Sequence, residues 1–311
     1  MIDTSVGLLP CCERLLCCSA FVTMEWNIHR YAPSSIMKCF LPAIMFAAAP
    51  GIVGSAFAQD FRVIALHENP DRTMSVNLFS SADPVTVKKY MPDGGAPASV
   101  SSFALFAGED TVLIDTCTGN ETWGNKLTEA GVKPESVKLI LLTHFHGDHV
   151  GGLIQGNVRR FPNAKVLASI PEFEAGQRQP PIERIRSAYG QDFATFNFDE
   201  EVFANSLVKV KALNAVGHTP GHTVFLIESK QTDKEKLLII GDLLHAAALQ
   251  FPVPDACTSY DLDMENAVAS RKRILDFAAQ EKIPVGGMHL PPPSIGMVKK
   301  EVKGYVFELK K

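Results

Sequence analysis

The run Val137-Lys138-Leu139-Ile140-Leu141-Leu142, apolar but for Lys138, leads straight into Thr143-His144-Phe145-His146-Gly147-Asp148-His149. A run so short and so apolar suits a central strand. Layered α/β chains gather ligands just past the C-terminal ends of such strands. Residues two apart in extended chain point the same way, so His144 and His146 can grip one metal ion together. Gly147 lets the chain turn sharply, and Asp148 and His149 then face a neighbouring point. Imidazoles and a carboxylate with no thiolate suit Zn(II) first, with Mn, Fe or Co as substitutes.

Further ligand-type residues follow other apolar strands. His218 and His222 lie in Gly217-His218-Thr219-Pro220-Gly221-His222, after a strand ending at Leu213. Asp242 follows Leu237–Ile240, and His289 follows Val285–Met288. Any one of these is ordinary, but the repeated placement at strand ends would bring all of them to one rim. His218 is expected as a ligand and His222 as a hydrogen-bonding support of its loop. His245 is read either as orienting a ligand or as an ordinary satisfied histidine, and His67 as structural. For Phe145 and Phe251, packing is weighed above a place in a substrate wall. Thr143 and Thr219 either hydrogen-bond near the ligands or merely end their strands.

The other elements alternate in type. Strands are expected at 61–67, 73–80, 165–168, 207–213, 223–228, 237–240, 283–288 and 304–309, with a hairpin of 103–106 and 111–115 around Gly108. Helices are expected at 121–130, 171–178, 182–188 and 264–280, with Arg271-Lys272-Arg273 as a solvated face of the last. Strands early and late with helices between suggest two packed sheets covered by helices.

The pattern His-x-His-x-Asp-His at His144–His149, followed by His218, Asp242 and His289, resembles the metallo-β-lactamase fold superfamily over nearly all of residues 59–311. Within it, Pro92–Pro97, Gly241-Asp242-Leu243-Leu244-His245 and His289-Leu290-Pro291-Pro292-Pro293-Ser294-Ile295-Gly296 look like the methyl parathion hydrolase branch, which includes organophosphate hydrolases and lactonases. The resemblance implies an α/β, four-layer αββα sandwich of two mixed sheets flanked by helices. It also implies two divalent metal ions, with His144, His146 and His218 on the first, Asp148, His149 and His289 on the second, and Asp242 bridging. The expected chemistry is attack by a metal-bridging hydroxide on an ester, lactone or phosphotriester, with Asp148 and Asp242 as the catalytic carboxylates. The substrate would be a small molecule, and a homodimer is in keeping with the resemblance.

The first rival is a true β-lactamase, but those enzymes lack a bridging Asp where Asp242 stands. Diiron flavoproteins replace the second His by Glu and add a flavin domain, whereas this chain has His146. One-iron persulfide dioxygenases do not need the second ligand set. A degenerate, non-catalytic metal-binding scaffold would be expected to have lost ligands, and all seven are present.

The net charge is −4, with 30 Lys and Arg against 34 Asp and Glu, so no basic field invites nucleic acid. Residues 37–58 read as a secretory signal: Met37-Lys38, an apolar core Cys39–Ala49 shorter than the roughly 20 residues that span a bilayer, then Ala56-Phe57-Ala58. Residues 1–36 are read as an upstream extension misassigned to the coding sequence. The expected mature chain, 59–311, is one periplasmic or secreted domain. The residue directly after Ala58 is Gln59 rather than a lipid-accepting Cys, so no stable membrane anchor is expected. Only Cys117 and Cys257 then remain, and their pairing is open. N-terminal sequencing of exported protein should begin near Gln59; a mature form that retains Met1 contradicts this reading.

Overall fold

The computed structural model describes residues 61–309, so the expected upstream extension and signal peptide at 1–58 lie outside the described residues. Chain order begins with β1 (Arg62–Ser75), α1 (Pro84–Tyr90), β2 (Gly95–Ala107), β3 (Asp110–Ile114), α2 (Glu121–Glu129) and β4 (Val137–Leu141). The one-turn helix α3 (Gly147–Val150) and a small ribbon of β5 (Ile154–Gln155) and β6 (Val158–Arg159) follow. Next come β7 (Lys165–Ser169), α4 (Ile170–Gly176), α5 (Pro180–Tyr189), β8 (Phe193–Phe196), β9 (Glu201–Ala204) and β10 (Val208–Asn214). The chain continues through β11 (Thr223–Ser229), β12 (Lys236–Ile239), α6 (Ala247–Gln250), α7 (Met264–Glu281), β13 (Val285–Gly286), β14 (Ile295–Lys300) and β15 (Tyr305–Leu309).

One sheet has the order β1-β2-β3-β4-β7-β8 and the other β15-β14-β13-β12-β11-β10-β9. Both are mixed: β3, β4, β7 and β8 pair in parallel, as do β12 and β13, while the remaining neighbours are antiparallel. Period-two alternation explains the layers. On β4, Leu139 and Leu141 enter the core between the sheets, whereas Ile140 and, just past the strand, Leu142 pack outward with Trp123 and Leu127 of α2 and Ile182 and Ile185 of α5; Val137, before a register shift, joins the outer set. On β11, Phe225 and Ile227 face inward, and Val224 and Leu226 face Ile274, Leu275 and Ala278 of α7. The result is the expected four-layer αββα sandwich. Among the described residues, no helix is long and apolar enough to cross a membrane.

Register places the site. Ile114 pairs with Leu141 and Leu141 with Leu167, so β3, β4 and β7 end at one edge. In the other sheet, Asn214 pairs with Thr223 and Ile239 with Gly286. The segments that follow β10, β12 and β13 therefore leave from a common edge too. The Thr223 N–H donates to the Thr143 carbonyl at 3.0 Å, which joins the two edges.

Several local expectations need correction. The strands expected at 61–67 and 73–80 are a single edge strand, β1, with register shifts around Asn69. Pro70 lacks an N–H, which an edge strand with a bulge tolerates. Its last expected residues, Val76–Phe79, instead wind into a 3₁₀ turn. The strand expected over 283–288 is only Val285–Gly286, because the chain must turn to deliver His289. Helix α1 and strands β8, β9 and β14 were not anticipated. Phe225 is fully buried between the sheets, so Phe225→Ala should cost about 3–5 kcal/mol. Urea unfolding checks this, and a loss below about 1 kcal/mol would contradict the packing described.

Candidate metal centre

The residues after β4 turn through Gly147 into α3, which carries Asp148 and His149 inward, while the segments after β10, β12 and β13 bring His218, Asp242 and His289 to meet them. One set of ligand-type atoms, from His144, His146, His218 and Asp242, lies within 4.8 Å of one another, and a second comes from Asp148, His149 and His289. Asp242 stands between the sets. Its Oδ1 is 3.2 Å from His149 Nε2; its Oδ2 is 3.2 Å from His289 Nε2, 3.4 Å from His218 Nε2 and 3.7 Å from His144 Nε2. Gly241 (φ +53°) makes the turn before it, and a Cβ there would meet His222 Nε2 at 2.5 Å.

Hydrogen bonds behind the rings fix which nitrogen faces inward. His149 Nδ1 donates to Asp115 Oδ2 at 2.7 Å, His218 Nδ1 to Asp261 Oδ1 at 3.0 Å, and His289 Nδ1 to the Ser99 carbonyl at 2.9 Å. The Thr143 hydroxyl donates to Asp115 Oδ2 at 2.7 Å, so it accepts from His144 Nδ1 at 3.0 Å. Each of these rings thus turns its Nε2 toward Asp242, and that of His289 lies at hydrogen-bond distance, 3.2 Å, from Oδ2. The Nε2 atoms of His144 and His149 and Oδ1 of Asp242 are buried without any hydrogen-bond partner. His146 Nδ1 and His218 Nε2 lie 3.1 Å apart. Buried lone pairs that converge without donors are costly unless something positive sits among them.

The electrostatics point the same way. Burial alone would raise the Asp242 carboxyl, but His149, His289, His144 and His245 hold it well below the usual carboxylate range. Burial opposes a charge on His149, yet Asp242, Asp115 and Asp148 push it well above the usual imidazole value. The pocket is a negative field lined with nitrogen donors, which two divalent cations would satisfy.

The expected seven residues are therefore brought together. His222 is a support, as anticipated: its Nδ1 donates to the Ala215 carbonyl at 3.0 Å, and its Nε2 accepts the Asp242 N–H at 2.9 Å. Thr143 and Thr219 both hydrogen-bond, Thr219 donating to Glu172 Oε2 at 2.6 Å. His67 bonds Ser101 away from the site. Phe145 packs on Gly176 and toward Phe193, and Phe251 stacks on Phe307, so both are core residues. Cys117 and Cys257 are buried free thiols. Arg271 corrects the solvated-face reading: it is 1% exposed, whereas Arg273 is exposed.

Sequence reasoning missed Asp115, Glu172 and Asp261. Asp115 ends an apolar strand as the ligands do, and that signal was legible. Glu172 and Asp261 follow no such pattern. Glu172 accepts from the Phe145 and Gly221 N–H groups at 2.9 and 3.0 Å, tying the His144–His149 segment to that of His218. His245 lies fully buried with its Nε2 3.2 Å from Asp242 Oδ2, and its Nδ1 has no hydrogen-bond partner.

A family model described as the metallo-beta-lactamase superfamily matches residues 95–286. The chain belongs to this superfamily. An N-acyl homoserine lactonase of Bacillus sp. is 28% identical over 201 residues, 64% of this chain and 73% of that protein. The crystal structure of the hydrolase AbOPH matches with a TM-score of 0.72 at 28% identity, over 82% of this chain and 97% of that one. AidC, a dizinc quorum-quenching lactonase in complex with a product, shares the fold at 24% identity, with a TM-score of 0.71 over 81% of this chain and 95% of that one. The chain is thus a hydrolase-family member with a pocket suited to two metals.

His218→Ala should lower the metal content. His222→Ala should keep it and cost about 1–3 kcal/mol through the orphaned Asp242 N–H. Metal analysis beside urea unfolding distinguishes them, and equal metal loss in both would contradict the separate roles.

Proposed function

We propose that this chain is an exported, dinuclear metal-dependent hydrolase of small esters and lactones, with phosphotriesters as a further electrophile of the same kind. His144, His146 and His218 are assigned to one ion, Asp148, His149 and His289 to the other, and Asp242 to both. The observation that carries the reading is the position of Asp242, its two oxygens shared between the two sets of rings. The lactonase and hydrolase relatives support the substrate class. Zn(II) suits a nitrogen-rich set without thiolates.

Bound divalent ions supply the nucleophilic water at neutral pH and the Lewis acidity that the side chains lack. The side chains do the rest. Asp242, 2% exposed, keeps its charge and fixes the spacing of the two sets. The side chain of Asp148 is 29% exposed, and against its partial burial His149 and His289 help hold its carboxyl below the usual range, so it is assigned to take up the proton that the attacking water gives up and pass it to the departing oxygen. No Ser or Cys nucleophile is required.

Purified protein is expected to hold two ions per chain and to open lactones or cleave aryl esters, with nitrocefin a poor substrate and chelation abolishing turnover. Asp242→Ala should lower both metal content and turnover, the latter by more than the roughly 10–100-fold that loss of an outer partner costs. Nitrocefin as the preferred substrate, or full turnover without metal, would sink the proposal.

A further inference from the structure

Arg271 lies on the buried side of α7, and a helix that only packed there would carry Leu or Met. A buried guanidinium is costly unless its donors are met. Nε donates to the Leu243 carbonyl at 2.7 Å, and Nη1 to the carbonyls of Pro254 and Ala256 at 2.8 and 3.0 Å. Nη2 donates to Asp261 Oδ2 at 3.4 Å. The four acceptors belong to two segments. Leu243 directly follows Asp242, and the others lie in the loop that leads into α7.

Asp261 passes this anchoring on. Its Oδ2 also accepts the Thr258 N–H at 3.0 Å, while Oδ1 accepts from His218 Nδ1 at 3.0 Å. On the far side of the ring, His218 Nε2 faces Asp242 and His146. A continuous chain of charge-assisted bonds thus runs from α7 to the centre of the pocket, and the same guanidinium grips the backbone beside Asp242. We propose that Arg271, acting through Asp261, is a positioning residue that sets the placement of His218 relative to Asp242 and so tunes the metal affinity of that set. This rests on the reading of His218 as a ligand. Lys would keep the charge but not the planar fork that reaches Leu243, Pro254, Ala256 and Asp261 together.

The test uses the full chain with Arg271→Lys, Arg271→Met, Asp261→Asn and the Arg271→Met/Asp261→Asn double variant. Zn(II) affinity is read by chelator competition and ligand geometry by the visible spectrum of the Co(II)-loaded protein, with urea unfolding of the metal-free chains as the fold control. Each single variant should weaken Zn(II) binding about 10–100-fold and shift the Co(II) bands. The double variant should be no weaker than its weaker parent, because both changes cut one chain. Arg271→Met preserves bulk without a charge, so a folded Met variant with weakened metal binding supports positioning rather than a strut. Variants that bind Zn(II) like wild type with unchanged Co(II) bands overturn the proposal while leaving His218 a ligand. A wild-type chain whose Co(II) bands are insensitive to His218→Ala overturns the ligand reading, and the proposal with it.

Discussion

A carboxylate buried at the meeting of two sheets is the constraint from which the rest follows. Asp242 has lost nearly all contact with water, so its charge must be balanced locally. Imidazoles drawn from four segments surround its oxygens; a ring that carries a proton offsets the charge, whereas a bare lone pair does not. Such an arrangement is unstable as a set of lone pairs and coherent as a cage for cations. It explains why so many polar groups sit where a sandwich would otherwise be apolar.

The rings cannot be left to choose their own orientation. Asp115, Asp261, the Ser99 carbonyl and Thr143 each hold the back of one ring. Glu172 binds two of the ligand-bearing segments to each other without touching a ring. These supports come from both sheets and from the loop before α7, so the pocket depends on the sandwich being closed. His222 illustrates the economy of the fold: a histidine four residues from His218 holds the backbone of Asp242 rather than joining the ligand-type set.

The elements that the sequence disclosed were those with a strong period. The alternation in β10, the apolar runs of β4 and β11 and the length of α7 mark themselves. The short α1 carries its own signature, Pro84 at its first position and Asp83 accepting from the Val85 and Thr86 N–H groups, but it lacks an apolar period long enough to stand out. Strands β8, β9 and β14 owe their state to a neighbour's backbone more than to their own side chains. β1 was split by Pro70 in sequence and made continuous by pairing with β2.

The chemistry was legible because metal binding demands specific residue types at strand ends: His144, His146, Asp148 and His149 are local in sequence, and the later donors repeat the same placement. Partners reached across the fold were not. Whether Arg271 faces water or a carboxylate depends on the path of the loop before α7, and whether Phe145 lines a pocket or a core depends on how α4 approaches it. Residue type and local spacing determined that this chain would gather metal-ligand-type side chains at one rim. Only the closure of two sheets decided which rings are held, by what, and around which carboxylate, because those contacts join residues as far apart as Ser99 and His289 that no local pattern connects.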